Sequence, residues 1–121
     1  MNNLAGNFYM EEIDLCIILG NAIDNAIEEC NRLPEHSEKF IGIQAGMVEQ
    51  FFLLQVKNTT YLQEIHETYV SKKRNKGMTG IGLSNIRDAA LKYNGVVELE
   101  IQAGVFSISI LIPPPLPDKR L

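Results

Sequence analysis

Two stretches of helical periodicity, each followed by a pair of strand-length apolar runs, constrain most strongly how this chain can fold. Residues 12–31 carry Ile13, Cys16, Ile17, Gly20, Ile23, Ile27 and Cys30 at steps of three and four, the spacing of one α-helical face. Pro34, within "NRLPEHSEK", closes that helix. "KFIGIQAG" and "VEQFFLLQVKN" follow as β-rich runs with a short Gly-containing connection, and predict a hairpin. After Asn58 the chain turns polar, with a short helix predicted at 61–67 and then a basic loop. "IGLSNIRDAALKYNG" predicts a second helix, with Ile81, Ile86, Ala89 or Ala90, and Tyr93 on one side and Gly95 just past its end. "VVELEIQAGVFSISILIP" predicts a second hairpin turning near "QAG". That order favours an α+β two-layer sandwich with the helices on one sheet face, the other face needing cover from loops or a partner.

Composition narrows the function classes. A chain of 121 residues makes one domain with one core. A net charge of −4 argues against a general nucleic-acid or membrane surface, so any anion site must be local. No apolar run approaches the ~20 residues of a membrane span, and "MNNLAGNFYMEE" lacks the basic start and apolar centre of a signal peptide. Cys16 and Cys30 would lie about 21 Å apart along one helix, too far for a disulfide. They read as buried thiols in a reducing cytosol, and with only His36 and His66 beside them no structural zinc site is expected. The expected organisation is a leader or remnant at 1–11, a domain at 12–113, and a proline-rich tail at 114–121.

Four features could carry chemistry. Asn21 and Asn25 sit one turn apart on the first helix, about 40° apart around its axis, although asparagine is a poor helix former. They lie on a flank of the Ile13, Gly20, Ile23, Ile27 stripe. Neutral amide oxygens suit a magnesium ion already held by phosphates, yet two asparagines are also what an exposed face commonly carries. "KGMTGIGLSNI" places three glycines in six residues immediately before a helix, either a phosphate-binding turn or a plain one. It fits neither a Walker A loop, since Leu83 follows Gly82, nor a dinucleotide fingerprint, since Asn85 stands where the third glycine belongs. "SKKRNK" at 71–76 is the densest basic run, directly ahead of those glycines. Asn58 ends an apolar strand, as a turn residue or as a base-reading group.

In this order, "LGNAIDNAIEEC", Asn58, the basic run, "TGIGLSNI", "KYNG" and "FSISILIP" resemble the catalytic ATP-binding domain of sensor histidine kinases. That domain belongs to the GHKL superfamily, with gyrase and MutL, and the likeness is to the short-lidded kinases of peptide quorum-sensing systems. The resemblance covers roughly residues 12–113. It implies a Bergerat-type fold with helices on one face of a mixed, mainly antiparallel sheet. It implies that Asn25 holds Mg²⁺ and that Asn21 stands where gyrase-like ATPases carry a water-activating glutamate. An amide is a far poorer base, so ATP would be kept for phosphotransfer. Asn58 matches the adenine-reading aspartate, Gly80, Gly82 and Leu83 the glycine box, and Lys72 and Lys73, after Ser71, the lid element reaching the γ-phosphate. Two departures stand out: Glu28 replaces a phosphate-contacting lysine, and the adenine box reads "KNTT" without its glycine.

The function implied by this resemblance is transfer of the γ-phosphoryl of ATP to a histidine on a dimerisation domain outside this chain, and from there to a response regulator. Neither His36 nor His66 sits in a suitable helix for that acceptor. The implied setting is the cytoplasmic part of a membrane-bound homodimeric sensor, with no nucleic acid and no membrane contact by this segment. The rivals are a nucleotide-dependent interaction module without phosphotransfer and an anti-sigma-type serine kinase.

Overall fold

A computed structural model describes residues 9–62 and 78–115. Its elements are α1 (Glu12–Asn31), β1 (Ile41–Val48), β2 (Phe51–Thr59), α2 (Met78–Leu91), β3 (Val96–Gln102) and β4 (Val105–Ile112). The strands form one sheet in the order β1-β2-β4-β3, and every described pairing is antiparallel. Both predicted hairpins are present. Val48 pairs with Phe51 across Glu49 and Gln50, and Gln102 pairs with Val105 across Ala103 and Gly104. The second turn holds both central residues at positive φ, 54° and 77°, the two-residue geometry whose twist matches that of the strands it joins.

Alternation along β2 and β4 aims one side of the sheet at the helices. Phe52, Leu54, Val56 and Asn58 pair with Ile112, Ile110, Ile108 and Phe106, and all eight are buried. Val97, Leu99 and Ile101 of β3 extend this face. Ile18, Ala22 and Ala26 of α1 and Leu83, Ile86, Ala89 and Ala90 of α2 complete the core. The opposite sheet face is polar at one end, with a Gln55 Nε2 to Ser109 Oγ bond of 2.9 Å and exposed Lys57, Glu98 and Glu100, and apolar at the other, where Val48, Phe51 and Val96 are exposed.

The structure corrects three sequence expectations. The Ile13, Ile17, Ile27 stripe of α1 faces outward, with Ile13 63% exposed. The buried face, nearly opposite, carries Ile18, Ala22, Asn25, Ala26 and Glu29. α1 is apolar on two sides, so periodicity alone could not choose between them, and small alanines admit closer packing than isoleucines. Cys16 is therefore exposed, while Cys30 is buried as expected. Lastly, α2 begins at Met78, so Gly80 and Gly82 lie inside its first turns and not in a loop ahead of it.

Two contacts set the helix ends. Gly95 follows α2, and its N–H reaches the Ala90 carbonyl at 2.9 Å. A Cβ there would strike Ile112 Cδ1 and lie 3.0 Å and 3.1 Å from the Ala90 and Leu111 carbonyl oxygens. The positive φ of this corner falls one residue earlier, at Asn94, so Gly95 is needed for close approach to β4. At the other end, buried Asp14 of α1 accepts bonds from the Tyr93 hydroxyl and, at 3.0 Å, from Lys92 Nζ. The Tyr93 oxygen in turn accepts the Glu11 N–H at 3.1 Å, fastening the start of α1 to the end of α2.

Candidate functional site

The inward face of α1 is unusual in what it buries. Asn25 is 2% exposed and Glu29, one turn on, is 0% exposed. Across from them the end of β2 supplies Asn58, 1% exposed, and then buried Thr60. Apolar packing would serve a purely structural helix–sheet contact better, because each buried polar group must recover its lost hydration. Polar groups gathered between two elements are the usual mark of a site.

Asn21 lies at the α1–α2 junction. Its Nδ2 donates to the Ile17 carbonyl at 2.7 Å, which turns the amide back along its own helix. Its Oδ1 rests against α2, 3.0 Å from where a Cβ on buried Gly82 would stand. Gly82 thus admits a close approach that any side chain would crowd. Asn21 and Gly82, read separately in the sequence, are brought together. The Leu83 side chain belongs to the hydrophobic core. The first turn of α2, from Met78 through Ile81, has backbone N–H groups with no carbonyl one turn earlier in the same helix. Gly80 is in this turn, where an anion is favoured.

Asn58 gives its Nδ2 to the Thr59 carbonyl at 2.9 Å. Its Oδ1 is buried, and no donor reaches it among the described residues. Leaving such an acceptor empty costs about 1–3 kcal/mol, which a ligand with a suitably placed N–H would recover. Two residues further on, the Thr60 hydroxyl donates to Glu29 Oε1 at 3.0 Å and accepts the Leu62 N–H at 3.1 Å. Sequence reasoning missed Glu29 and Thr60. No signal in the sequence pairs them, since a glutamate in a helix and a threonine after a strand are each ordinary residues there.

Glu28 also has a place. Its Oε1 is 3.7 Å from Arg32 Nη2, and Arg32 Nη1 donates to the Tyr61 hydroxyl at 3.2 Å. Glu28 thereby steadies a cation that holds the chain leaving β2. Ser71, Lys72, Lys73, His66 and most of the helix expected at 61–67 lie outside the described residues. Among the described residues no group of three His, Cys, Asp or Glu side chains is arranged to hold a metal ion, and no helix is long and apolar enough to cross a membrane.

Comparison with known proteins bears on the fold. Residues 10–113 match the family model of the GHKL domain. No curated protein matches the chain by sequence. Among solved structures, the Acinetobacter baumannii histidine kinase AdeS superposes with a TM-score of 0.65 at 19% identity, over 85% of this chain and 47% of that one. The catalytic domain of histidine kinase ThkA gives 0.66 at 21%, over 85% and 68%. The histidine kinase domain of the E. coli osmosensor EnvZ gives 0.58 at 20%, over 90% and 69%. The chain therefore shares the α+β fold of histidine kinase catalytic domains while spanning about half the length of the AdeS chain. With the family match covering nearly all of the described fold, this chain is a member of the GHKL family.

Proposed function

We propose that this chain is the ATP- and Mg²⁺-binding catalytic domain of a two-component sensor histidine kinase. It would transfer the γ-phosphoryl group to a histidine on a separate dimerisation domain, and a response regulator would receive it next. The observation that carries this reading is the close approach of Asn21 to Gly82, which sets an amide-bearing helix beside a helix start whose free N–H groups favour anions.

Asn58 receives the adenine amino group at its buried Oδ1. The first-turn amides of α2 around Gly80 receive phosphate oxygens, Gly82 lets Asn21 close on that turn, and Lys72 and Lys73 neutralise the γ-phosphate. Asn25 fits as a Mg²⁺ ligand: its amide is uncharged, it lies on the buried face of α1, and phosphates would supply the remaining charge. When bound, Mg²⁺ neutralises the phosphate oxygens that gain charge during transfer. Asn21 cannot serve as a strong base for water, since an amide accepts a proton poorly. ATP is thus held against hydrolysis until an acceptor histidine arrives, and catalysis rests on positioning and charge neutralisation.

Incubation with labelled ATP and the dimerisation domain of the full-length protein tests this reading. Label on a histidine of that domain is expected. Nucleotide binding without label, in a pair that demonstrably docks, would favour a nucleotide-dependent interaction module.

A further inference from the structure

Glu29 is fully buried, yet neither the phosphate end nor the metal ligand of the proposed site uses it. Burying a carboxylate carries a desolvation penalty that an apolar contact avoids. Holding α1 on the sheet therefore does not account for it.

Its connections reach the end of β2. Glu29 Oε1 takes the one hydroxyl proton of Thr60, and the Thr60 oxygen takes the Leu62 N–H. The Thr60 N–H donates to the Gly104 carbonyl at 3.0 Å. The peptide plane joining Thr59 to Thr60 is thus pinned at its N–H by β4's turn and at the adjoining side chain by α1. The carbonyl of that same peptide holds the Asn58 amide nitrogen. Its direction decides where Asn58 Oδ1, buried and without a donor among the described residues, is presented. A glycine at position 60 could not make this tie.

We propose that Glu29 is a positioning residue for purine-base selection: acting through Thr60, it fixes Asn58 Oδ1 as a lone acceptor for an exocyclic amino group. This rests on the nucleotide-binding reading above. The selected ligand class is a 6-aminopurine nucleotide. A 6-oxopurine would set its own oxygen against Asn58 Oδ1 and leave both acceptors unsatisfied.

Calorimetric titration with ATP and with inosine triphosphate, at matched Mg²⁺, tests this. The chain is expected to prefer ATP by about tenfold or more, the scale set by a mismatched buried polar group. Thr60→Val, which keeps the shape and removes the hydroxyl, is expected to bring that preference to within about threefold, and Thr60→Ser to restore it. Glu29→Gln retains an oxygen that accepts from Thr60 and is expected to keep most of the preference, whereas Glu29→Leu loses it. Thermal melting checks that each variant is folded, with Thr60→Ala replacing Thr60→Val if the latter is not. A merely structural tie would weaken both nucleotides in parallel. An unchanged ATP-to-inosine-triphosphate ratio in the folded Thr60 variant overturns the proposal, as does equal binding of the two by the unmodified chain. Binding of neither would instead contradict the nucleotide-binding reading itself.

Discussion

Asn21 Oδ1 on α1 lies 3.0 Å from the point a Cβ on Gly82 of α2 would occupy. No bond joins the two residues, yet the closeness of this contact places the asparagine-bearing helix against the glycine-rich one. Asn21 has little freedom to retreat, because its Nδ2 is bound to the Ile17 carbonyl at 2.7 Å.

Gly82→Ala separates stability from function at this junction. Alanine is favoured over glycine inside a helix by about 1 kcal/mol, which offsets the crowding, so the melting temperature is expected to change little. Asn21 must still shift by a few tenths of an ångström. ATP affinity is expected to fall by about tenfold, since site geometry tolerates little displacement. Paired melting and calorimetric measurements check both halves of this expectation.

Asp14 makes acid stability testable. The Tyr93 hydroxyl, first, and the Lys92 ammonium, second, hold its carboxyl below the usual carboxylate range. Its contribution is therefore fully present above the unfolded value, near pH 4, and is lost as pH falls through the lower folded value. Tyr93→Phe is expected to cost about 1–2 kcal/mol at pH 7 and to flatten the acid-side decline in stability. Lys92→Met should have the smaller effect, its side chain being 59% exposed. Denaturant unfolding from neutral pH down to about pH 3 gives both numbers.

The inverted face of α1 is checked by two isoleucines. Ile18→Ala removes a fully buried side chain and is expected to cost about 2–4 kcal/mol. Ile13→Ala, on the stripe that periodicity favoured, is expected to change stability by about 0.5 kcal/mol or less. Equal losses from the two would contradict the placement of this helix.

The fold was legible where one pattern had one meaning. The strand-length apolar runs "FFLLQVKN" and "FSISILIP", each bounded by turn residues, identified β2 and β4. α1 failed that condition: apolar residues line both its sides, and only the packing of Ala22 and Ala26 decides between them. The glycines misled for a related reason, since glycine's low helix propensity is overridden once α2 packs on the sheet and on α1. Asn21, Asn25, Asn58 and Gly82 could be picked out as polar or glycine residues in unexpected places. Glu29 and Thr60 could not, because a glutamate in a helix and a threonine after a strand are ordinary until the fold buries them together.

Calorimetric titration of Mg²⁺·ATP into the unmodified chain and into Asn25→Ala, repeated with a chelator, bears most directly on the central claim. The unmodified chain is expected to bind and Asn25→Ala to lose at least about tenfold in affinity with Mg²⁺ present, with a much smaller difference under chelation. Undiminished Mg²⁺·ATP binding by a folded Asn25→Ala variant, or no binding by the unmodified chain, would contradict it.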